Sequence, residues 1–200
     1  MKIKQIKSLL ENHGRKMCIE GNSLRTDDGD YSLEAFFELE KTIQNDWIIS
    51  RTSRNIKKVI IEFNNEVSAC RYFYLMLFQS LTFKKISKIL NDRKIILSKI
   101  VTVSDFLLLL QIIEIPSIYY SIDGTLKYDA FNIAFDLEGF QISYLNKQGE
   151  VKSQWKGNSL ISVFYSIYFL YSFREEENRL LDMKIIMKPF SEDELLNFIK

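Results

Sequence analysis

The sequence contains one histidine and two cysteines among 200 residues, which leaves little room for metal or nucleophilic chemistry. His13 would have to serve any Ser/His/Asp or Cys/His arrangement, and it stands beside Gly14 at the end of a helical pattern, where an imidazole is an ordinary capping group. Cys18 and Cys70 lie far apart with no second pair, so no zinc spacing can be drawn. No catalytic, cofactor-binding or metal-binding residue is assigned, no cofactor is expected, and the chain reads as one that is not an enzyme.

Glycine and proline are scarce, with 7 and 2 residues, and no glycine-rich phosphate loop exists. "GNS" occurs at 21–23 and at 157–159 around single glycines and reads as a turn each time. Clean hydrophobic runs are also missing. Residues 67–83 and 159–173 are interrupted by Arg71, Gln79 and several serines and fall short of the roughly 20 apolar residues of a membrane span, so both read as buried helices and no membrane partner is expected. Net charge is +1, which argues against a basic face that releases counterions from nucleic acid, and no nucleic-acid partner is expected. That charge is unevenly spread: residues 1–100 hold 18 Lys+Arg against 12 Asp+Glu, or +6, and residues 101–200 hold 9 against 14, or −5. Such a dipole can steer a charged partner. The opening "MKIKQIKSLLENHG" is charged throughout and does not read as a secretory leader, so a reduced, cytoplasmic protein is expected.

What is present is a pattern of elements. Ile3, Ile6, Leu9 and Leu10 recur at helical spacing up to Gly14. Residues 17–20 form a strand candidate, and "GNSLRTDDGDYS" reads as a loop of turn formers and acids. "LEAFFELEKTI", "WIISRT" and "IKKVIIEF" then alternate between turns, with Val59, Ile61 and Phe63 assigned to one face, and read as an antiparallel meander. Asn64 or Asn65 can cap the helix that follows, with Glu66 in its first turn.

The second half repeats the plan. "VSDFLLLLQIIEIP" is a helix capped by Thr102 or Ser104 and stopped near Pro116; "SIYYSIDGTL" contains a strand and an Asp123-Gly124 hairpin signal. "FDLEGFQISY" and "VKSQW" follow as strands, and "GNSLISVFYSIYFLYSF" as a second ring-rich helix. The expected class is α+β, with two similar units of helix, four-stranded antiparallel meander and helix, followed by a C-terminal strand and helix opened by the capping box "SEDE" at 191–194. The boundaries are 1–83 for the first repeat, 84–101 for a connector, 102–173 for the second repeat and 174–200 for the extension.

Asp27, Asp28 and Asp30 in "TDDGD" have the spacing that opens a calcium loop, but the twelfth position counted from Asp28 is Leu39 rather than glutamate. Glu38, Glu40, Asp136 and Glu138 could supply paired carboxylates, yet alternation puts them on the polar face of strands. The rings at 72–74, 78, 164–165, 168–169 and 171 lie on helices without interleaved cations, which suits a core better than base stacking.

Glu62 and Phe63 at a strand end, followed by Glu66, Ala69, Tyr72 and Phe73, resemble the small immunity proteins of bacterial polymorphic toxin systems. Their strand ending in Glu-Phe leads into a helix of the form Glu-x-x-Ala-x-x-Tyr-Phe. The resemblance covers residues 1–83 and, more faintly, 102–173. It implies a cytosolic protein that neutralises a cognate toxin domain by binding it, here with two copies of the unit. A basic toxin would be met by acids, and the candidates are Asp27, Asp28, Asp30, Asp136, Glu138, Glu175, Glu176 and Glu177. A homo-oligomer is compatible with this reading. The alternative is a regulatory α+β module that binds a small ligand or a peptide.

Overall fold

Helix α1 (Ile3–Asn12) buries Ile6, Leu9 and Leu10, about 1.5–3 kcal/mol for each side chain removed from water. Ten residues form a marginal helix in isolation, so this stripe is what holds it. The helix ends at Gly14, whose φ of +80° lets the Gly14 and Arg15 amides turn back to the Glu11 and Leu10 carbonyls at 2.9 Å each. The computed structural model describes residues 1–27, 35–136, 139–157 and 159–199.

After α1 come β1 (Met17–Glu20), β2 (Ser23–Thr26), β3 (Phe36–Lys41), β4 (Trp47–Ser53) and β5 (Ile56–Phe63), neighbours in that order and all antiparallel. The meander thus has five strands, one more than its sequence suggests, because β2 lies inside the segment read as a loop. Glu20 pairs with Ser23, so Gly21 and Asn22 form a two-residue hairpin, with Gly21 at φ +57°. Leu24, Leu39 and Ile49 are fully buried on the inward face. Val59 does not share the face of Ile61 and Phe63. The register passes from Ile49↔Ile61 to Ser50↔Val59, so Ile60 is an extra residue, and a bulge exchanges the faces on either side of it.

Helix α2 (Glu66–Asp92) starts where the Asn65 side chain accepts the Ser68 amide at 2.9 Å. Ala69, Cys70, Phe73, Tyr74 and Leu77 are fully buried. The helix continues through nine residues of the expected connector, with Ile86 and Leu90 buried and Lys84, Lys85 and Lys88 as good helix formers between them.

Thr102 caps α3 (Val103–Ile112) in a reciprocal box: its hydroxyl accepts the Asp105 amide at 3.1 Å and the Asp105 carboxylate accepts the Thr102 amide at 3.0 Å. A short 3₁₀ turn at Ser117–Tyr119 leads into β6 (Tyr120–Ile122), followed by β7 (Ala130–Asp136), β8 (Gly139–Leu145) and β9 (Val151–Gly157). These four strands are neighbours in sequence order, but β6 runs parallel to β7. Asp123-Gly124 is therefore not a hairpin. Its chain makes a crossover, held by the Asn132 side chain, which accepts the Lys127 amide at 2.8 Å and donates to the Lys127 carbonyl at 2.9 Å.

Helix α4 (Leu160–Asp182) absorbs the start of the expected extension, and α5 (Glu192–Leu196) follows, capped by Ser191 as its sequence indicates. No strand occurs between Asp182 and Glu192; that segment is turn and bend. Asn146 anchors α5 to the β8–β9 turn, donating to Glu150 and Glu192 at 2.9 Å each and accepting the Gln148 and Glu150 amides. The architecture is α+β, with one antiparallel sheet, one sheet that is antiparallel except for its β6–β7 pair, and helices. The chain divides into two compact units, Met1–Leu81 with Ile185–Met187, and Thr82–Lys184 with Lys188–Lys200. Among the described residues, no helix is long and apolar enough to cross a membrane.

Candidate binding surfaces

The groups with chemical potential are occupied structurally. The His13 ring stands edge-on to Phe78 with centroids 5.7 Å apart. Cys70 is fully buried; burial, and then the Glu66 carboxylate, push its thiol up to about 12, so it packs as a small hydrophobe rather than reacting as a thiolate. Cys18, half-buried on β1, has its sulfur 3.8 Å from Glu20 Oε1. Among the described residues, no three His, Cys, Asp or Glu side chains converge as a metal site.

Alternation put Glu38 and Glu40 on a polar strand face, and they lie together there under Lys57. The lysine sits 3.0 Å from Glu38 and also bonds Glu40. Burial works against the charge of Lys57, but the hydrogen bonds and charges of the two carboxylates outweigh it and raise its pKa. The shared lysine ties both acids into one ion pair on the strand face.

The eight acids proposed from the sequence fall into three groups. Asp28, Asp30 and Glu138 lie outside the described residues, and so does the side chain of Asp136, whose backbone pairs with Gly139. Asp27 and Glu175 are exposed. Glu176 and Glu177 are buried within the second unit. Glu176 accepts two hydrogen bonds from Arg179, at 2.6 and 2.8 Å. Glu177 accepts from Arg174 and from the Phe190 amide, at 2.7 Å each.

Arg174 is the centre of a buried network that the sequence reading did not single out. Its guanidinium reaches Asp129 at 2.6 Å and Glu177 at 2.7 Å, and the Tyr144 hydroxyl donates to the same Asp129 oxygen at 2.7 Å. Burial opposes the arginine's charge, but Asp129 and then Glu177 overcome it and the pKa rises. Burial, reinforced by Asp129, also raises the pKa of Tyr144. Every member has a partner, so the network fastens α4 to the sheet. The pattern "REEENR" carried the signal: Arg174 and Glu177, and Glu176 and Arg179, are three apart on one helix.

An open groove of about 340 Å³ lies on the outward face of the second sheet. Ser121, Asp123 and Asn132 form one wall, and Gln141, Ser143 and Gln154 the floor. The wall is spent on its own shape: Ser121 donates to the Thr125 carbonyl at 2.8 Å and Asp123 accepts the Phe135 amide at 2.9 Å. Gln141 and Gln154, exposed on β8 and β9, keep their amides free for a ligand. Hydroxyls, amides and the Asp123 carboxylate line it, so it can offer hydrogen bonds to a polar ligand.

Set against models of protein families, curated proteins and solved structures, the chain matches none of them.

Proposed function

We propose that the protein is an immunity-type protein that acts in the cytoplasm by binding and sequestering a cognate bacterial toxin domain, without catalysis. The observation that carries this reading is the joint between β5 and α2. Phe63 at the strand end lies 5.5 Å from the Tyr72 ring, with Ala69 and Phe73 fully buried beside them. The residues of the resemblance thus work together as one structural unit. Exposed Asp27 and Glu175, together with Asp28, Asp30, Asp136 and Glu138, are the acids assigned to a basic toxin; Glu176 and Glu177 serve the fold instead.

The two units are read as copies of one ancestral unit. In the first, β1 is antiparallel to β2 and β2 to β3, so β1 and β3 point the same way. Removing β2 would bring β1 parallel against β3, which is the relation of β6 to β7. Each meander also carries an extra residue in its last strand, Ile60 in one and Lys152 in the other. Direction and bulge placement support duplication followed by gain or loss of β2.

Co-expression tests the immunity reading. Cells producing a toxin domain encoded beside this gene should grow when the protein is present and die without it. Protection against none of the neighbouring toxins contradicts the proposal. The groove on the second sheet favours a second reading, a small-ligand or peptide-binding module. Under that reading, Gln141→Ala with Gln154→Ala abolishes ligand binding, whereas sequestration elsewhere is unaffected.

A further inference from the structure

The β4–β5 hairpin breaks two local rules, both in a way that displays positive charge. Residues 51–61, "RTSRNIKKVII", contain four cations and no acid. Arg51 and Lys58 are direct cross-strand partners, a like-charge pair that works against the sheet. Arg54 occupies the first position of the two-residue turn at φ +50°, followed by Asn55 at φ +61°. Asparagine is at home in this conformation, whereas arginine is not.

Only one of the four cations has a carboxylate partner among the described residues. Lys57 is taken by Glu38 and Glu40. Arg51 lies 5.8 Å over the Phe37 ring but has no carboxylate among the described residues, nor do Arg54 and Lys58. Around them Ile56, Val59 and Ile60 are exposed, Ile56 at 72%. Among the described residues, strand β5 is the last of its sheet and pairs only with β4, so its outer edge offers backbone donors and acceptors. Local rules are broken where function requires it, and unpaired cations, exposed aliphatic groups and an open edge coincide here.

We infer that this hairpin docks an acidic, extended segment of a partner protein, which adds as a strand to β5 and neutralises Arg51, Arg54 and Lys58. Charge complementarity selects the acidic segment. The strand edge selects a polypeptide, because only a backbone supplies hydrogen bonds in register, and Ile56, Val59 and Ile60 meet its apolar positions. The surface is opposite in sign to the acids assigned to a basic toxin, so it stands whether or not that reading holds.

The test titrates the isotope-labelled full chain with two synthetic peptides that alternate valine with glutamate or with lysine. The glutamate peptide should shift the amide signals of residues 56–61 and bind less well as salt is added. The double variant Arg51→Gln, Lys58→Gln should bind it about tenfold more weakly or worse, while the free protein melts no earlier than the parent. Arg54→Glu, at an exposed turn, gives the same loss independently. Equal binding of the lysine peptide overturns the inference, as does tighter binding of a single-stranded oligonucleotide. Self-association of the double variant also overturns it, since the cations would then be guards against edge pairing.

Discussion

Arg174 shows what a single buried charge does in this protein. It is 7% exposed and its two carboxylate partners, Asp129 and Glu177, are themselves shielded. Removing the guanidinium leaves both uncompensated, so Arg174→Ala should cost about 3–5 kcal/mol in urea unfolding. Glu175→Ala, one residue along and exposed, should change stability by less than about 0.5 kcal/mol. Equal effects would remove the network from the account. The same helix marks the limit of reading acids from composition. "REEE" looks like a solvated run, but a helix turns neighbouring residues to different sides, and only Glu175 of the three glutamates faces water.

At the scale of elements, the helix caps were legible, whereas the far ends of the two long helices and the sheet edges were not. Thr102, Ser191 and Gly14 cap their helices as their chemistry dictates, because a cap depends on a few adjacent residues. Asp105 completes the α3 cap, and the Thr102 hydroxyl followed by the Thr102 amide holds its carboxyl below the usual value of 3.8. A carboxyl depressed in the folded state contributes stability above its unfolded pKa and loses it as pH falls through the folded one. Thr102→Ala should therefore be less stable than the parent near neutrality. The gap between parent and variant should narrow in unfolding curves taken below pH 3.8; a gap that is constant with pH would contradict the box. Strand β2 was missed although Gly21-Asn22 is a hairpin pair, since acids downstream favoured a loop. Asp123-Gly124 misled in the opposite sense: Asp123 does adopt a positive φ, 43°, but the chain after it goes on into a crossover in which Asn132 grips Lys127, five residues back. Helices α2 and α4 outran their expected ends because nothing in 84–92 or 174–182 breaks a helix.

For the whole molecule, α+β architecture followed from the order of periodicities, while the sites did not, since burial decides which acids remain available. Cys70 and His13 are accounted for by packing, Glu38 and Glu40 by Lys57, and Glu176 and Glu177 by two arginines. The proposed binding role would draw on the hydrogen-bonding, charged and aliphatic surface that stays outward among the described residues. The central claim is sequestration, and its most direct measurement is the activity of a toxin domain encoded beside this gene, titrated with the purified protein. The account predicts a linear fall to zero at a fixed stoichiometric ratio, with full activity recovered when the complex is dissociated. Undiminished activity at excess protein, or inactivation by a small fraction of an equivalent, would contradict it.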